Sequence, residues 1–398
     1  MKSWPAPVYP RLLHPSPSEV RLGPDGVTAS SPERLYVCGI TPYDATHMGH
    51  AATYLTFDTL VRTLRASDIE VTYVQNVTDV DDPLLERAAA TGVDWQELAA
   101  SQIELFRSDM QALRILPPDH YIGAVESIDL VCQAIGQMPG TYRVGEDTYA
   151  TVADPDFGEV AGLDRPTMLH LFAERGGDPE RPGKRDPLDP LLWRGERPGE
   201  PAWPGGDLGA GRPGWHIECA VIGEHYLGAA PTIVGGGADL LFPHHEMSAL
   251  HLRALGHAEP ALYLHAGMIA YEGEKMSKSL GNLVLVSELV AQGVDPRVIR
   301  LAMLDHHYAA AHEWRDTDLT RAQKRLAAYR DAVAAGQPGA ALTAVVVHDC
   351  LNDDLDTPAA LWALDAWAAG DAPRLTENDN LADLITTVDA LLGVDLTD

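Results

Sequence analysis

The sequence predicts an α/β protein built on a doubly wound parallel sheet, with an inserted domain and a helical C-terminal region. Two observations predict the sheet: short β-rich runs end in glycine or acidic turns, and stretches with helical spacing follow them. A third observation, a segment rich in glycine and proline between two halves of this pattern, predicts the insertion. The chain of 398 residues is long enough for two or three domains with buried cores.

The first half of the sheet pattern occupies residues 1–115. Residues 34–40 predict a strand, His50 to Ala66 a helix, and Val71 to Val77 a second strand that leads into an alanine-rich helical stretch. A strand, helix and strand in this order favour parallel pairing. We therefore expect these residues to form the first half of a nucleotide-binding domain.

The middle of the chain has a different composition. Glycine and proline supply 18 of the 39 residues from Gly176 to Gly214, although the whole chain of 398 holds 35 glycines and 29 prolines. This composition predicts an irregular insertion or a long loop, and we assign residues 116–210 to an inserted connective domain. A strand from Thr232 to Gly237 and a helix beginning near Pro243 then predict the second half of the sheet domain, over residues 211–285.

The remainder of the chain, residues 286–398, has helical spacing. It predicts helices from Pro296 to Tyr308 and from Thr317 to Ala335, followed by further alanine-rich and leucine-rich pieces. We expect a helical C-terminal domain that carries no additional RNA-binding module.

Composition and charge narrow the class of protein. The chain is 45% hydrophobic and 22% charged, and its four cysteines are too few for a disulfide scaffold. It shows neither an apolar run of membrane-spanning length nor a signal-peptide pattern, so we expect a cytoplasmic protein, a monomer with no membrane partner. The formal net charge of -29 repels polyphosphate over most of the surface, so contact with nucleic acid would need a local basic patch.

Two short motifs indicate phosphate chemistry. Lys275-Met-Ser-Lys-Ser279 places two ammonium groups on one loop, which suits a polyphosphate whose charge shifts during reaction. His47-Met-Gly-His50 opens the first helix, where main-chain amides and the helix dipole favour an anion. A solvated Lys-Ser loop and a pair of structural histidines are the alternatives. Loops after parallel strands converge on one crevice, so we expect both motifs to face a common site.

With these two motifs the sequence resembles the class I aminoacyl-tRNA synthetases. The resemblance implies a Rossmann-type catalytic domain and ATP-driven adenylation of a carboxylate, with Mg²⁺ accompanying ATP. It further implies that His47 and His50 hold the triphosphate, and that Lys275 and Lys278 stabilise the departing pyrophosphate.

A third set of residues is similar to the zinc site of cysteinyl-tRNA synthetases. Cys38, Cys219 and His244 stand in the same local motifs as that family's ligands. Thiolates with an imidazole select zinc, and three protein ligands leave one position for the thiol of cysteine. The resemblance thus implies one Zn²⁺ per chain. Buried cysteines often only fill space, however, and His245 and Glu246 remain possible substitutes for His244.

The zinc motif departs from the synthetase pattern at one position. The synthetases place a glutamate four residues after the first histidine, on the same helix face, as another ligand. Here that position is Ser248. We therefore expect a site of two cysteines and one histidine, which water or Ser248 completes when the substrate is absent.

Other shared motifs imply where a cysteinyl adenylate would lie. Trp215 is expected near the amino-acid portion, Asp239 at the ribose, because an acidic residue after a strand suits its hydroxyls, and Ile269 at the adenine. Capping of a helix is the alternative for the acidic run Asp79 to Asp82. The other residues expected around the adenylate are Cys38, Gly39, Ile40, Thr41, Thr53, Asn76, Val77, Thr78, Gly237 and Ala238.

Three departures argue against a tRNA acceptor. The segment from Asp316 to Asp398 holds 5 Lys or Arg against 15 Asp or Glu, where a tRNA-binding segment should be neutral or basic. Two cationic positions of the synthetases are Ala52 and Pro83 here. The motif Glu174-Arg-Gly-Gly-Asp-Pro179 instead resembles the signature of the cysteine ligases of mycothiol biosynthesis, which are relatives of these synthetases.

That resemblance implies L-cysteine, ATP and glucosaminyl inositol as substrates, with AMP and pyrophosphate released and no tRNA partner. A short cysteinyl-tRNA synthetase is the first alternative. A non-catalytic paralogue that binds zinc and an adenylate is the second, although the presence of His47, His50, Lys275 and Lys278 argues against it.

Overall fold

The structure is a computed structural model that describes residues 1–10, 12, 19–29, 31–43, 45–276, 281–373 and 379–397, with Lys275 described through its main chain alone. The strands of this part of the chain are short and are numbered in chain order: β1 (Arg21–Leu22), β2 (Val27–Thr28), β3 (Glu33–Val37), β4 (Val71–Val77), β5 (His120–Gly123), β6 (Tyr142–Val144), β7 (Asp147–Tyr149), β8 (Leu191–Gly195), β9 (Trp203–Pro204), β10 (Ala210–Pro213), β11 (Ile233–Gly237), β12 (Leu262–Ala266), β13 (Ile269–Tyr271), β14 (Glu274–Lys275) and β15 (His312–Trp314).

The α-helices are α1 (Met48–Ala66), α2 (Asp82–Thr91), α3 (Trp95–Ala112), α4 (Ile128–Gln137), α5 (Arg165–Glu174), α6 (Trp215–Leu227), α7 (Glu246–Ala254), α8 (Val286–Ala291), α9 (Pro296–Leu304), α10 (Asp316–Ala335), α11 (Ala340–Asn352), α12 (Thr357–Ala369) and α13 (Leu381–Thr387). Short 3-10 or π-helical turns occur at Val125–Ser127, Gly206–Leu208, Ala238–Leu240, Leu241–His245 and Val388–Leu392. Each described helix is too short or too polar to traverse a lipid bilayer.

A five-stranded parallel sheet of order β12-β11-β3-β4-β5 forms the centre of the molecule. Helix α1 connects β3 to β4, and α2 and α3 lie between β4 and β5, as the predicted strand and helix order requires. The sheet confirms the predicted α/β class with a Rossmann-type domain. Strands β4 and β5 lie on one side of β3, and β11 and β12 lie on the other. The strand order therefore reverses between β3 and β11, and parallel sheets of this kind bind ligands in the crevice at that point.

The central strands are buried on both faces, which explains why their sequences are nearly continuous apolar runs. Helix α1 packs against β4, β11 and β12 on one side and against C-terminal elements on the other. Its burial along most of its length fixes the position of its N-terminus at the carboxyl ends of the strands.

The inserted region contains an antiparallel sheet of order β6-β7-β8-β10-β9, together with α4 and α5. The expectation of an irregular loop from residue 176 to 214 was therefore wrong, because β8, β9 and β10 lie in it. The glycines there permit close pairing of strands: a Cβ at Gly211 would lie 2.2 Å from the carbonyl oxygen of Arg194, and one at Gly195 would lie 2.5 Å from Cβ of Glu146.

Two expected domain boundaries do not coincide with the sheets. The boundary at residue 115 precedes β5, yet β5 pairs with β4, so the parallel sheet extends to Gly123. The boundary at residue 210 falls on the first residue of β10, which belongs to the inserted sheet and ends at Pro213. Pairing between strands distant in sequence decides both limits.

The C-terminal helices are joined to the sheet domain by a buried charge cluster. Asp58 of α1 accepts from Arg62 at 2.9 Å and from Arg300 of α9, and these side chains are almost fully buried. The helix predicted from Pro296 to Tyr308 ends earlier, at Leu304. Past its end the Tyr308 hydroxyl donates to Asp354 at 2.7 Å, which draws this segment toward α12.

Candidate active site

The three predicted metal ligands meet at the carboxyl end of β3. Cys38 follows β3, Cys219 lies on α6, and His244 lies in the π-helical turn that precedes α7. Their candidate ligand atoms all lie within 4.8 Å of one another, and all three side chains are buried. The fold thus brings these residues from three distant parts of the sequence to one point.

The imidazole of His244 is oriented toward this cluster. Its Nδ1 atom lies 3.3 Å from Nδ1 of His216, and its ring centroid lies 4.4 Å from that of Trp215. Its Nε2 atom is buried and has no hydrogen-bond partner among the described residues. A buried polar atom without a partner is unusual in a folded protein, and a metal ion would satisfy this one.

The two thiols differ in acidity. Burial raises the pKa of Cys38. At Cys219 burial acts in the same direction, but the hydrogen bond with the Cys38 thiol and the charge of His244 outweigh it, so the pKa of Cys219 is lowered. The arrangement favours a thiolate at Cys219 and a neutral imidazole at His216, since burial lowers the pKa of His216. Thiolate and neutral imidazole are the forms that bind zinc.

The alternative ligands have other partners. Both ring nitrogens of His245 are engaged, Nε2 with the Cys38 thiol at 3.4 Å and Nδ1 with Nε2 of His265 at 2.8 Å. The hydroxyl of Ser248 donates to the main-chain oxygen of His216 at 3.1 Å. These contacts favour His244 as the histidine ligand.

Glu246 contacts the inserted region instead of the cluster. Its two carboxylate oxygens accept from the main-chain N–H groups of Gly158 and Ala161, at 2.8 and 2.9 Å. This carboxylate therefore joins α7 to the insertion.

The segment after β4 supports the segment that carries Cys38. The amide of Gly39 donates to Oδ1 of Asn76 at 2.7 Å, and the amide of Thr78 donates to the carbonyl of Ile40 at 3.0 Å. A Cβ at Gly39 would lie 1.6 Å from the main-chain oxygen of Asn76, so this contact requires glycine. In the described structure Asn76, Val77 and Thr78 are buried behind the cleft wall and do not line it.

A cleft with an empty volume of about 3040 Å³, its open mouth included, runs beside the cluster. Three predicted site residues, Cys219, His244 and Ala238, are described in the structure but do not line this cleft. The predicted site residues that line it are Cys38, Gly39, Ile40, Thr41, His47, His50, Thr53, Trp215, Gly237, Asp239 and Ile269. Its lining comes from both the sheet domain and the inserted region, so the cleft can hold a second ligand beside a nucleotide.

The histidine motif caps α1. The Nδ1 atom of His47 accepts from the amide of Gly49 at 3.1 Å, and the ring stacks on that of His50 with centroids 3.9 Å apart. The amide of Met48 donates to the carbonyl of Val284 at 2.9 Å, so the segment after the lysine motif is held against the histidine motif.

Of the lysine motif, Lys275 lies at the end of β14 with only its main chain described, and Lys278 lies outside the described residues. Met276 lines the cleft.

The acidic run after β4 contributes to the fold and to the cleft. Asp79 accepts from the amide of Val125 at 2.8 Å, and Asp81 caps α2 by accepting from the amide of Asp82 at 2.8 Å. Burial raises the pKa of Asp81 to about 6. Asp82 pairs with arginines of the inserted sheet.

Sequence reasoning missed two groups of residues. His216 directly precedes the Ile-Glu-Cys part of a recognised motif, but its contact with His244 depends on the packing of α6 against the π-helical turn. The residues of the inserted region that line the cleft were also missed, apart from the signature around Arg175.

Comparisons with known proteins agree with the fold. Residues 28–324 match the family described as tRNA synthetases class I (C) catalytic domain. Over 91% of this chain, the structure of Mycobacterium tuberculosis methionyl-tRNA synthetase in complex with methionyl-adenylate is similar, with a TM-score of 0.59, 17% identity and 90% of that chain covered. A putative arginyl-tRNA synthetase from Campylobacter jejuni is similar with a TM-score of 0.56, 13% identity and coverage of 92% and 94%.

Closer relatives are found among curated proteins. One from Xylanimonas cellulosilytica is 54% identical over the full length of both chains, and one from Cellulomonas flavigena is 55% identical over 99% of this chain and all of the relative. Both are named L-cysteine:1D-myo-inositol 2-amino-2-deoxy-alpha-D-glucopyranoside ligase.

Proposed function

The chain belongs to the family of L-cysteine:1D-myo-inositol 2-amino-2-deoxy-alpha-D-glucopyranoside ligases, with a catalytic domain of the class I tRNA synthetase type, and from this premise we propose how its site works. It is an ATP-dependent ligase that joins cysteine to the amine of glucosaminyl inositol in mycothiol biosynthesis. We infer two half-reactions. In the first, the carboxylate of cysteine attacks the α-phosphorus of ATP and pyrophosphate leaves, which gives cysteinyl adenylate.

In the second half-reaction the acceptor amine attacks the acyl carbon. The bond between this carbon and the AMP oxygen breaks, AMP leaves with the bonding electrons, and the nitrogen loses a proton to form the amide. One cleft is lined by the histidine motif, by Cys38 of the cluster and by the inserted region, which supports a single site for both half-reactions.

The cluster of Cys38, Cys219 and His244 is the observation that carries the choice of amino acid. Two sulfurs and the free Nε2 of a histidine fit zinc, and the three residues would hold it. Bound there, zinc would offer an open coordination position that a thiol fills far better than the hydroxyl of serine. The protein thereby distinguishes cysteine from serine by more than the 1–3 kcal/mol that a methylene-sized pocket contact supplies.

The remaining roles follow from position in the cleft. His47 and His50, at the N-terminus of α1, hold the triphosphate together with the helix dipole. Lys275 and Lys278 stabilise the departing pyrophosphate, and Mg²⁺ accompanies ATP. Donors of this kind contribute roughly 2.7–4 kcal/mol each when they act on charge that develops in the transition state.

The adenylate occupies the carboxyl ends of the strands. Asp239 follows β11 and accepts from the ribose hydroxyls, Ile269 contacts the adenine, and Trp215 covers the amino-acid portion beside the metal ligands. Gly237, Ala238, Thr53, the Cys38–Thr41 segment and the supporting Asn76–Thr78 segment complete this half of the site. We further propose that the protein is cytoplasmic, since its four free cysteines favour a reducing compartment, and that it acts as a monomer.

The acceptor distinguishes this enzyme from a short cysteinyl-tRNA synthetase. The purified protein is incubated with ATP, L-cysteine and either glucosaminyl inositol or tRNA, and AMP release and the mass of the product are followed. We expect the amide of glucosaminyl inositol and no charged tRNA. Charging of tRNA without amide formation would refute the ligase, and an absence of cysteine-dependent pyrophosphate exchange would favour a non-catalytic paralogue. Serine in place of cysteine is the control for the metal-based selection.

A further inference from the structure

The cleft has a second half that the nucleotide motifs do not occupy. Its wall comes from the N-terminus of α2, from β7, β8 and β10 of the inserted sheet, and from the loop that follows α5. In the chain, Gly214 alone separates β10 from α6, the helix that carries the ligand Cys219, so the wall is directly continuous with the cysteine site. We call this second half the acceptor wall.

Ionisable groups dominate the acceptor wall. Six carboxylates and four guanidinium groups line it, and Lys184 and Arg197, which lie outside the lining, pair with two of the carboxylates. The ionisable residues of the wall are Asp81, Asp82, Glu86, Asp147, Glu174 and Asp178, and Arg175, Arg181, Arg194 and Arg212.

All four guanidinium groups already have acceptors within the protein. Arg194 and Arg212 both pair with Asp82, the former at 2.7 Å, and Arg181 pairs with Asp147 at 2.5 Å. Arg175 donates to main-chain oxygens of the segment after β11. An incoming anion would have to compete with these contacts, so the wall offers no ready partner for a phosphate group.

Two of the carboxylates, in contrast, have no ion-pair partner among the described residues. These are Asp81 and Glu86. Asp178 is held in place by the Tyr149 hydroxyl at 2.5 Å and by Lys184 at 2.9 Å. Carboxylate oxygens accept hydrogen bonds from hydroxyl and ammonium donors. Because Asp178 is already held in place, little further side-chain entropy is lost when a ligand binds to it.

We propose that the acceptor wall is the binding site for the second substrate, and that it takes an amino polyol without phosphate and rejects phosphate esters of the same molecule. This inference rests on the proposed ligase function and names the acceptor chemistry of that site. The ammonium or amine group lies toward Asp81 and Glu86, and hydroxyls donate to carboxylates such as Asp178. A phosphate ester is repelled by Asp81 and Glu86, the two carboxylates of the wall without an ion pair in the described structure.

The test compares two acceptors in amide formation at saturating ATP and cysteine: glucosaminyl inositol and a phosphate monoester of it. We expect kcat/KM for the neutral compound to be higher by about tenfold or more at low ionic strength, because like charges in a cleft repel. The ratio should fall as salt is added, since salt screens charge and leaves steric exclusion unchanged.

Two variants and one control locate the effect. Asp81→Asn retains a side chain that caps α2, and Glu86→Gln changes an exposed side chain, so both should fold. Each should raise the acceptor KM several-fold and reduce the discrimination against the phosphate ester, while cysteine-dependent pyrophosphate exchange stays unchanged. Glu104→Gln, on the exposed face of α3, should alter neither quantity.

Two results would overturn the proposal that the acceptor wall binds the second substrate. One is equal kcat/KM for both acceptors with the wild-type protein, and the other is an unchanged acceptor KM and unchanged discrimination in both variants. In both of these outcomes the protein still forms the amide, so they would not contradict the proposed ligase function. Pyrophosphate exchange without amide from either acceptor would instead refute the proposed function itself.

Discussion

The Nδ1 atoms of His216 and His244 lie 3.3 Å apart in the buried floor of the site. Two imidazole nitrogens at this distance share one proton, and burial lowers the pKa of His216, so it stays neutral and can act as the acceptor. We infer that Nδ1 of His244 donates this hydrogen bond, because Nε2 is the atom without a partner in the described structure and its lone pair then faces Cys38 and Cys219. A contact of this kind selects the tautomer that binds a metal.

His216→Phe should weaken zinc binding by roughly 10- to 100-fold, because it keeps the ring volume but removes the nitrogen that orients His244. Competition with a chelator measures the affinity. His251→Phe is the matched control, since this buried imidazole of α7 has no hydrogen-bond partner among the described residues. Equal affinities for both variants would show that His216 does not orient the ligand.

Cys219→Ser should lose stoichiometric zinc and cysteine-dependent pyrophosphate exchange together, because the cluster loses one of its three ligands. Metal analysis and the exchange assay report the two quantities separately. Cys132→Ser, a half-buried cysteine outside the cluster, should retain both. A Cys219→Ser protein with full zinc and normal exchange would exclude this ligand set.

Arg175 links the inserted region to the segment that bears Asp239 and leads to His244. Its guanidinium donates to the main-chain oxygen of Asp239 at 2.5 Å and to that of Phe242. Arg175→Ala should lower kcat/KM for ATP in the exchange reaction by roughly 10- to 100-fold, since hydrogen bonds from a charged donor contribute about 1.5–3 kcal/mol.

Arg175→Lys should fall between the wild type and Arg175→Ala, because both carbonyls accept from one nitrogen, Nη1, which the ammonium group of a shorter side chain replaces only in part. Arg185→Ala removes a nearby exposed arginine that stacks on Tyr142 and serves as the control. If Arg175→Ala exchanged pyrophosphate with wild-type kinetics, this positioning role would be incorrect.

Asp109 of α3 should make the stability of the protein depend on pH. Burial raises its pKa to about 7, although a hydrogen bond from Thr46 opposes the shift, and one of its carboxylate oxygens is buried without a partner in the described structure. Since the folded state holds this proton more tightly than the unfolded state, its contribution to stability falls as the pH rises from about 4 to about 7.

Asp109→Asn removes this ionisation. The variant should lose less stability than the wild type between pH 5 and about 8, with a difference on the order of 1 kcal/mol or more, because each pKa unit corresponds to about 1.4 kcal/mol. Urea unfolding at several pH values measures it. If the stability of the two proteins changed with pH in parallel, the raised pKa of Asp109 would be contradicted. Asp129→Asn, in the first turn of α4, is the control and should follow the wild type.

Several features could be predicted because they depend on local patterns. The strand at Val71–Val77 coincides with its prediction, since a buried parallel strand is an apolar run bounded by turns. The cysteines and the histidine of the cluster also stand in short recognisable motifs. The sheet of the inserted region was not predicted, because a segment rich in glycine is also typical of a loop. In the structure Gly211 instead allows its strand to lie close to Arg194.

From the order of amino acids alone came the α/β class and the phosphate motifs, because each depends on residue type and short spacing. The three candidate metal ligands came from the resemblance of their local motifs to those of a known family. Only folding in three dimensions set His216 behind His244, joined Arg175 to the segment after β11, and assembled the charged wall opposite the nucleotide site. These relationships join side chains far apart in the chain, and no period or motif records them, since they arise from the packing of one element on another.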